Sequence, residues 1–139
     1  MARQDKIAHY ISEARKFAEA AFEEFEKGEG AQSDVLIRDA AEKAWNAVLQ
    51  ATNALLLGKG FPEEKIRSHR ERRLALDSLE SKDPQVKDKG LSDRFGAREH
   101  RLHERCFYEG EYITEKVKDD LWKAKAYIED IEKMLQTVP

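Results

Sequence analysis

Between residues 34 and 57 the apolar side chains fall into two adjoining helical rows, Ile37-Ala41-Ala44-Val48-Ala51-Leu55 and Trp45-Leu49-Thr52-Leu56. A helix with so broad a stripe must meet neighbours on two sides, so it lies centrally in a bundle. The flanking sequence supplies those neighbours. Residues 4–27 carry Ile7, Ile11, Ala14, Ala18, Ala21 and Phe25 at helical spacing, with Tyr10, Phe17 and Phe22 widening the stripe. Residues 112–136 carry Val117, Leu121, Ala124, Ile128, Ile131 and Leu135 at alternating steps of four and three. That is a seam for near-antiparallel packing at about 20°.

Gly and Pro gather in "KGEGAQSD", "GKGFPEE" and "SKDPQVKDKG", and these stretches divide the chain. Gly28 and Gly30 are expected to end the first helix, and Ser33 or Asp34 to cap the second. Pro62 favours the first turn of a shorter, basic segment, "EEKIRSHRERRLALDSLES", whose apolar face is Ile66, Leu74, Leu76 and Leu79. Asp83-Pro84 opens a further helix that runs to about Tyr108, bent or interrupted at Gly90. No run reads as a strand. The expectation is an all-α, up-and-down bundle of four long helices plus a shorter connector helix, forming one domain over residues 1–139.

Charge is spread unevenly. Residues 59–106 hold 13 Lys and Arg against 10 Asp and Glu, while the rest of the chain holds 12 against 18. Eight of the eleven arginines and three of the four histidines fall in that middle window. Such a patch attracts phosphates through local rather than net charge, although a solvated helix face has the same composition. The single cysteine fits a reducing compartment. The start "MARQDKIAHYISEARKF" lacks the continuous apolar core of a signal peptide. A cytoplasmic protein with no membrane partner is therefore expected.

The densest part of the basic window is "RFGAREHRLHERCFYEG", residues 94–110. As an ideal helix it places Leu91, Phe95, Leu102 and Cys106 within about 60° of one another, a core face. Arg94, Arg98, Arg101 and Arg105 form a row beside it. Gly96, His100, His103 and Phe107 lie on the other side, a semi-apolar face suited to a second copy of the chain. Cys106 reads as a buried small residue rather than a nucleophile. His100 and His103 stand at one-turn spacing, but no zinc-protease pattern or Glu-x-x-His surrounds them, so no metal or other cofactor is expected. "GKG" lacks the spacing of a phosphate loop. Trp45 and Trp122 read as core and boundary packing.

The text "DVLIRDAAEKAWNAVLQATNALLLGKG", the connector "SHRERRLALDSL", "HRLHERCFYEG" and the closing amphipathic helix together resemble the HEPN superfamily, most of all its small stand-alone archaeal members. The resemblance implies a helical bundle, commonly dimeric, linked to RNA or nucleotides. Many members are metal-independent endoribonucleases with an Arg, a polar residue, and then a His four to six residues beyond the Arg. Arg98-Glu99-His100-Arg101-Leu102-His103 matches, with Glu99 in a slot where Asn, Asp or His is usual; Arg94 and His100 match less well, since Phe95 fills that slot.

Cleaving RNA without a metal takes a base for the ribose 2′-OH, a proton for the leaving 5′-oxygen, and positive charge on the phosphorane-like transition state. His and Arg supply such groups, and Tyr108 adds a donor. Yet a five-residue step turns Arg98 and His103 about 140° apart on an ideal α-helix, so a composite site across a homodimer is expected. The candidate catalytic residues are thus Arg98, His103, Glu99, His100 and Tyr108, with Arg94, Arg101, Arg105, Arg70 and Arg73 for phosphate. Glu99 beside a phosphate repels it unless it pairs with an arginine or orients His103. The alternative is a non-catalytic nucleotide- or partner-binding module matched with a small nucleotidyltransferase or an antitoxin, or a bundle whose charges serve only solubility and stability.

Overall fold

The structure, a computed structural model, describes residues 2–136. Six α-helices account for most of it: α1 (Arg3–Ala31), α2 (Asp34–Gly58), α3 (His69–Glu80), α4 (Pro84–Asp88), α5 (Leu91–Arg98) and α6 (Thr114–Gln136). A 3₁₀ turn (Glu63–Lys65) precedes α3, and a π-helix (Glu99–Tyr108) continues directly from α5. Among the described residues there is no strand. None of their helices is long and apolar enough to cross a membrane.

Side-chain contacts fix the directions of the helices. Lys43 pairs with Glu24, and Arg3 donates to the carbonyl of Leu57, so α1 and α2 run antiparallel. Arg15 pairs with Glu132, and the ring of Phe22 meets Trp122, which sets α6 antiparallel to α1. Arg38 reaches the carbonyl of Phe107 while Trp45 touches Phe95, so the α5–π rod runs against α2. The broad stripe of α2 is buried as its pattern requires, from Ile37 to Leu57, and takes in Trp45. Tyr127 of α6, fully buried, hydrogen-bonds Thr52 of α2 at 2.7 Å, and Thr52 passes a bond of the same length to the carbonyl of Val48.

Two local outcomes differ from the sequence expectations. Gly28 and Gly30 do not end α1, which continues to Ala31 and closes on Gln32 at a left-handed φ of 53°. Gly28 is there for packing: a Cβ at this position would stand 2.9 Å from the Cβ of Leu36, so glycine permits the tight approach of α1 and α2. The fourth long rod is broken in three. Asp83 caps α4 by accepting from the backbone N–H groups of Gln85 and Val86, Gly90 turns the chain at φ 59°, and α5 then passes into the π-helix. Trp122 lies at the boundary, half exposed and packed on Phe22, with the ammonium of Lys125 over its ring at 5.0 Å.

Candidate functional site

The π-helix decides which side chains of residues 99–108 meet. Its backbone N–H groups reach back five residues rather than four, so residues four and five apart lie nearly one above another. Glu99, His103, Phe107 and Tyr108 therefore share one side, while Leu102 and Cys106 enter the core and Arg101 and Arg105 face α6 and its leading loop. The core face is as expected: Leu91, Phe95, Leu102 and Cys106 are all buried. Burial pushes the Cys106 thiol up to about 12, which leaves it un-ionised and unreactive near neutrality.

The arginine row lies where the sequence places it, and each member is in an ion pair. Arg94 pairs with Asp130 at 2.9 Å and Arg105 with Glu111 at 3.0 Å. Arg98 and Arg101 converge on Asp120 at 3.2 and 2.9 Å. Arg98 and Asp120 are both buried, and the Nε of Arg98 has no hydrogen-bond partner among the described residues. Burial pulls the Arg98 guanidinium below its ordinary value, with Asp120 opposing that shift. Arg70 is exposed.

His103 points elsewhere. Its Nδ1 lies 2.8 Å from a carboxylate oxygen of Glu42 on α2, and its ring stands over buried Trp45 at 5.7 Å between centroids. The structure thus separates Arg98, which faces α6, from His103, which faces α2 and α3. What it brings to His103 instead is His69, edge-on at 5.3 Å, and Tyr108, edge-on at 4.8 Å. His100 is exposed and pairs with Glu104, one turn on.

His69 is the first residue of α3, placed by a full capping box in which Ser68 accepts from the N–H of Glu71 and the Glu71 carboxylate accepts from the N–H of Ser68. The next turn of backbone brings Arg72 back onto the ring. Its Nη1 lies 3.2 Å from the Nδ1 of His69, and its Nε donates to Asn53 at 2.9 Å. Beside it, Arg73 grips both carboxylate oxygens of Glu99 at 2.9 and 2.7 Å. Of the two roles open to Glu99, the structure therefore gives it the arginine partner.

These contacts assign the tautomers. A guanidinium can only donate, so the Nδ1 of His69 must accept and its Nε2 carries the hydrogen. A carboxylate can only accept, so the Nδ1 of His103 donates to Glu42 and its Nε2 is left with the lone pair when the ring is neutral. Burial, helped by Arg72 and His103, lowers the proton affinity of His69, while Glu99 opposes the shift. Two adjacent imidazoles are thus held in complementary states, one a donor at Nε2 and one a base.

His69, Glu42 and Asn53 do not stand among the residues that the sequence singles out. The signal for His69 is there: it is the third histidine of the basic window, and "SHRE" fixes the helix start that presents it. Glu42 and Asn53 carry no such signal, being two polar positions on a long helix.

Residues 9–128 match the model of the Archaeal PaREP1/PaREP8 family. No curated protein matches the chain.

Proposed function

The chain belongs to the archaeal PaREP1/PaREP8 family, and within that family we propose that it is a HEPN-like protein that binds RNA and cleaves it without a metal, with His103 as the base. The observation that supports this reading most is the His69–His103 pair, with ring centroids 5.3 Å apart and complementary partners in Arg72 and Glu42. In the proposed reaction the ribose 2′-OH gives its proton to Nε2 of His103 as its oxygen attacks phosphorus. The bond to the 5′-oxygen breaks, that oxygen takes a proton from water, the hydroxide so formed takes back the proton held by His103, and a 2′,3′-cyclic phosphate remains. Glu42 stabilises the imidazolium that forms, as a carboxylate behind a catalytic histidine does. His69 offers its Nε2–H to a non-bridging oxygen, and exposed Arg70 adds positive charge from α3.

In this scheme Arg98 is a structural residue, since it is buried against Asp120. A homodimer forms through Gly96 and His100, one turn apart. A Cβ on Gly96 would meet nothing within 4 Å, and His100 is exposed, so this face is open to a second copy. The test is cleavage of labelled RNA in excess EDTA by wild type, His103→Ala, His69→Ala and Arg98→Met. Cleavage lost in both histidine variants and retained in Arg98→Met supports the reading. Cleavage that survives His103→Ala overturns it.

One observation favours a second reading. All four members of the row Arg94, Arg98, Arg101 and Arg105 are already in ion pairs with carboxylates, as suits a binding module for a nucleotide or for a nucleotidyltransferase or antitoxin partner. Absence of cleavage together with a stable complex would move the assignment there.

A further inference from the structure

Beside the histidine pair lies a cleft of about 330 Å³ lined by Val35, Arg38, Asp39, Phe107 and Tyr108. Two of its walls are large apolar side chains that the fold leaves in water: Val35 is 66% and Tyr108 65% exposed. Exposed apolar area that no neighbour covers marks a contact surface when it is gathered at one place.

The aromatic wall is built rigidly. Arg38 donates to the carbonyl of Phe107 at 3.0 and 2.7 Å and to that of Tyr108 at 3.0 Å. Its guanidinium lies against Gly110, where φ is 65° and a Cβ would stand 3.1 Å from Nη1. The two carbonyls are thus clamped, and the rings of Phe107 and Tyr108 meet edge-on at 5.2 Å. Phe107 also lies parallel to His103, with an interplanar angle of 12° at 6.4 Å. The Asp39 carboxylate, half-buried in the same cleft, is engaged in no hydrogen bond or ion pair among the described residues.

We propose that this cleft is a nucleobase seat that selects guanine in single-stranded RNA, with the base stacked on Tyr108 and its Watson–Crick edge bonded to Asp39. Unpaired bases are recognised by stacking on aromatic rings and by hydrogen bonds to their edges. An ionised carboxylate only accepts. Guanine presents two adjacent donors, N1–H and N2–H, that match its two oxygens. Adenine and cytosine present one amino group beside a ring acceptor, and uracil one N–H between two carbonyls, so each meets the carboxylate with repulsion as well as attraction. The contact of Tyr108 with His103 sets the seated base next to the proposed base catalyst. The inference rests on the RNA reading above and names its substrate more closely.

The experiment uses guanosine and adenosine 5′-monophosphates, and labelled oligouridine carrying a single G, A or C, all in EDTA. Binding is measured by fluorescence anisotropy for the oligonucleotides and calorimetry for the mononucleotides, with wild type, Asp39→Ala and Tyr108→Ala. Unchanged thermal unfolding certifies the fold of the variants, whose altered side chains lie outside the core. The expected result is a preference for G that Asp39→Ala abolishes, and a loss of roughly 5- to 150-fold for every base in Tyr108→Ala. RNA bound equally well whatever the single base, with Asp39→Ala silent, overturns the seat and leaves the RNA reading standing. Selective binding of the guanosine nucleotide without RNA cleavage sustains the seat and removes the nuclease. Failure to bind any nucleotide or RNA overturns both.

Discussion

Arg72 can only donate and Glu42 can only accept, and those two facts set the chemistry of the two imidazoles more firmly than their sequence context does. The consequence for His69 can be measured. Burial holds its proton affinity below the ordinary value of 6.5. Above that pH both folded and unfolded chains carry it neutral, and its contribution to stability is complete. As the pH falls below about 6.5, the unfolded chain takes up a proton that the folded chain refuses, so stability declines until the folded-state value is passed. Wild type should therefore lose stability more steeply than His69→Gln between about pH 7 and pH 5, read as urea midpoints across that range. Equal slopes would mean that His69 is as readily protonated in the fold as in water. The residue types of this site were legible in the sequence, since His103, Glu99, Tyr108 and Arg73 are all named by pattern. Their partners were not, because Glu42 stands 61 residues from His103 and Asn53 stands 19 residues from Arg72, each on a different helix.

At the scale of elements, the π-helix over Glu99–Tyr108 has the largest consequences. An α-helix would place Glu99 and Tyr108 on different sides of His103; the wider turn gathers them. Nothing in "EHRLHERCFY" distinguishes it from an ordinary helix, since the same residues suit both and the difference lies in how the ends are held. The C-terminal end is held by Arg38 on the carbonyls of Phe107 and Tyr108, and by Gly110 in a left-handed conformation beside that guanidinium. Gly110→Ala should then cost about 1–2 kcal/mol through its backbone alone, seen as a lower urea midpoint at unchanged slope. A neutral substitution would show that this end is free to re-form. The other breaks were readable to different degrees. Asp83-Pro84 and Gly90 carry their local signals openly, whereas Gly28 reads as a helix stop and is a packing contact, because only the facing helix shows what the missing Cβ makes room for.

Across the whole molecule, the arginine row and the acidic face of α6 have closed on one another. Asp120 receives Arg98 and Arg101, and Asp130 receives Arg94. The buried member makes this testable. Removing one partner of a buried ion pair leaves an uncompensated charge, so Asp120→Ala should destabilise the fold by about 3–5 kcal/mol, whereas Asp120→Ala combined with Arg98→Met should recover much of it. Chemical unfolding of the three proteins would measure this, and an equal loss in single and double variants would refute the role given to the pair. The same closure separates Arg98 from His103 within one chain and leaves His103 on the face shared by α2, α3 and the π-helix.

The sequence by itself determined the helical class, the central place of α2 and the buried faces of the rods, because those follow from apolar periodicity, which is local and repeats many times. It also determined where the basic residues gather. Which of them are spent on partners was decided only by the tertiary structure, since a charged side chain on a helix surface is free or paired according to what the neighbouring helix presents. Asp120 takes up Arg98 and Arg101, and Glu99 takes up Arg73, while Asp39, in the cleft beside Tyr108, takes up none among the described residues. Periodicity carries no information about that choice; distance does.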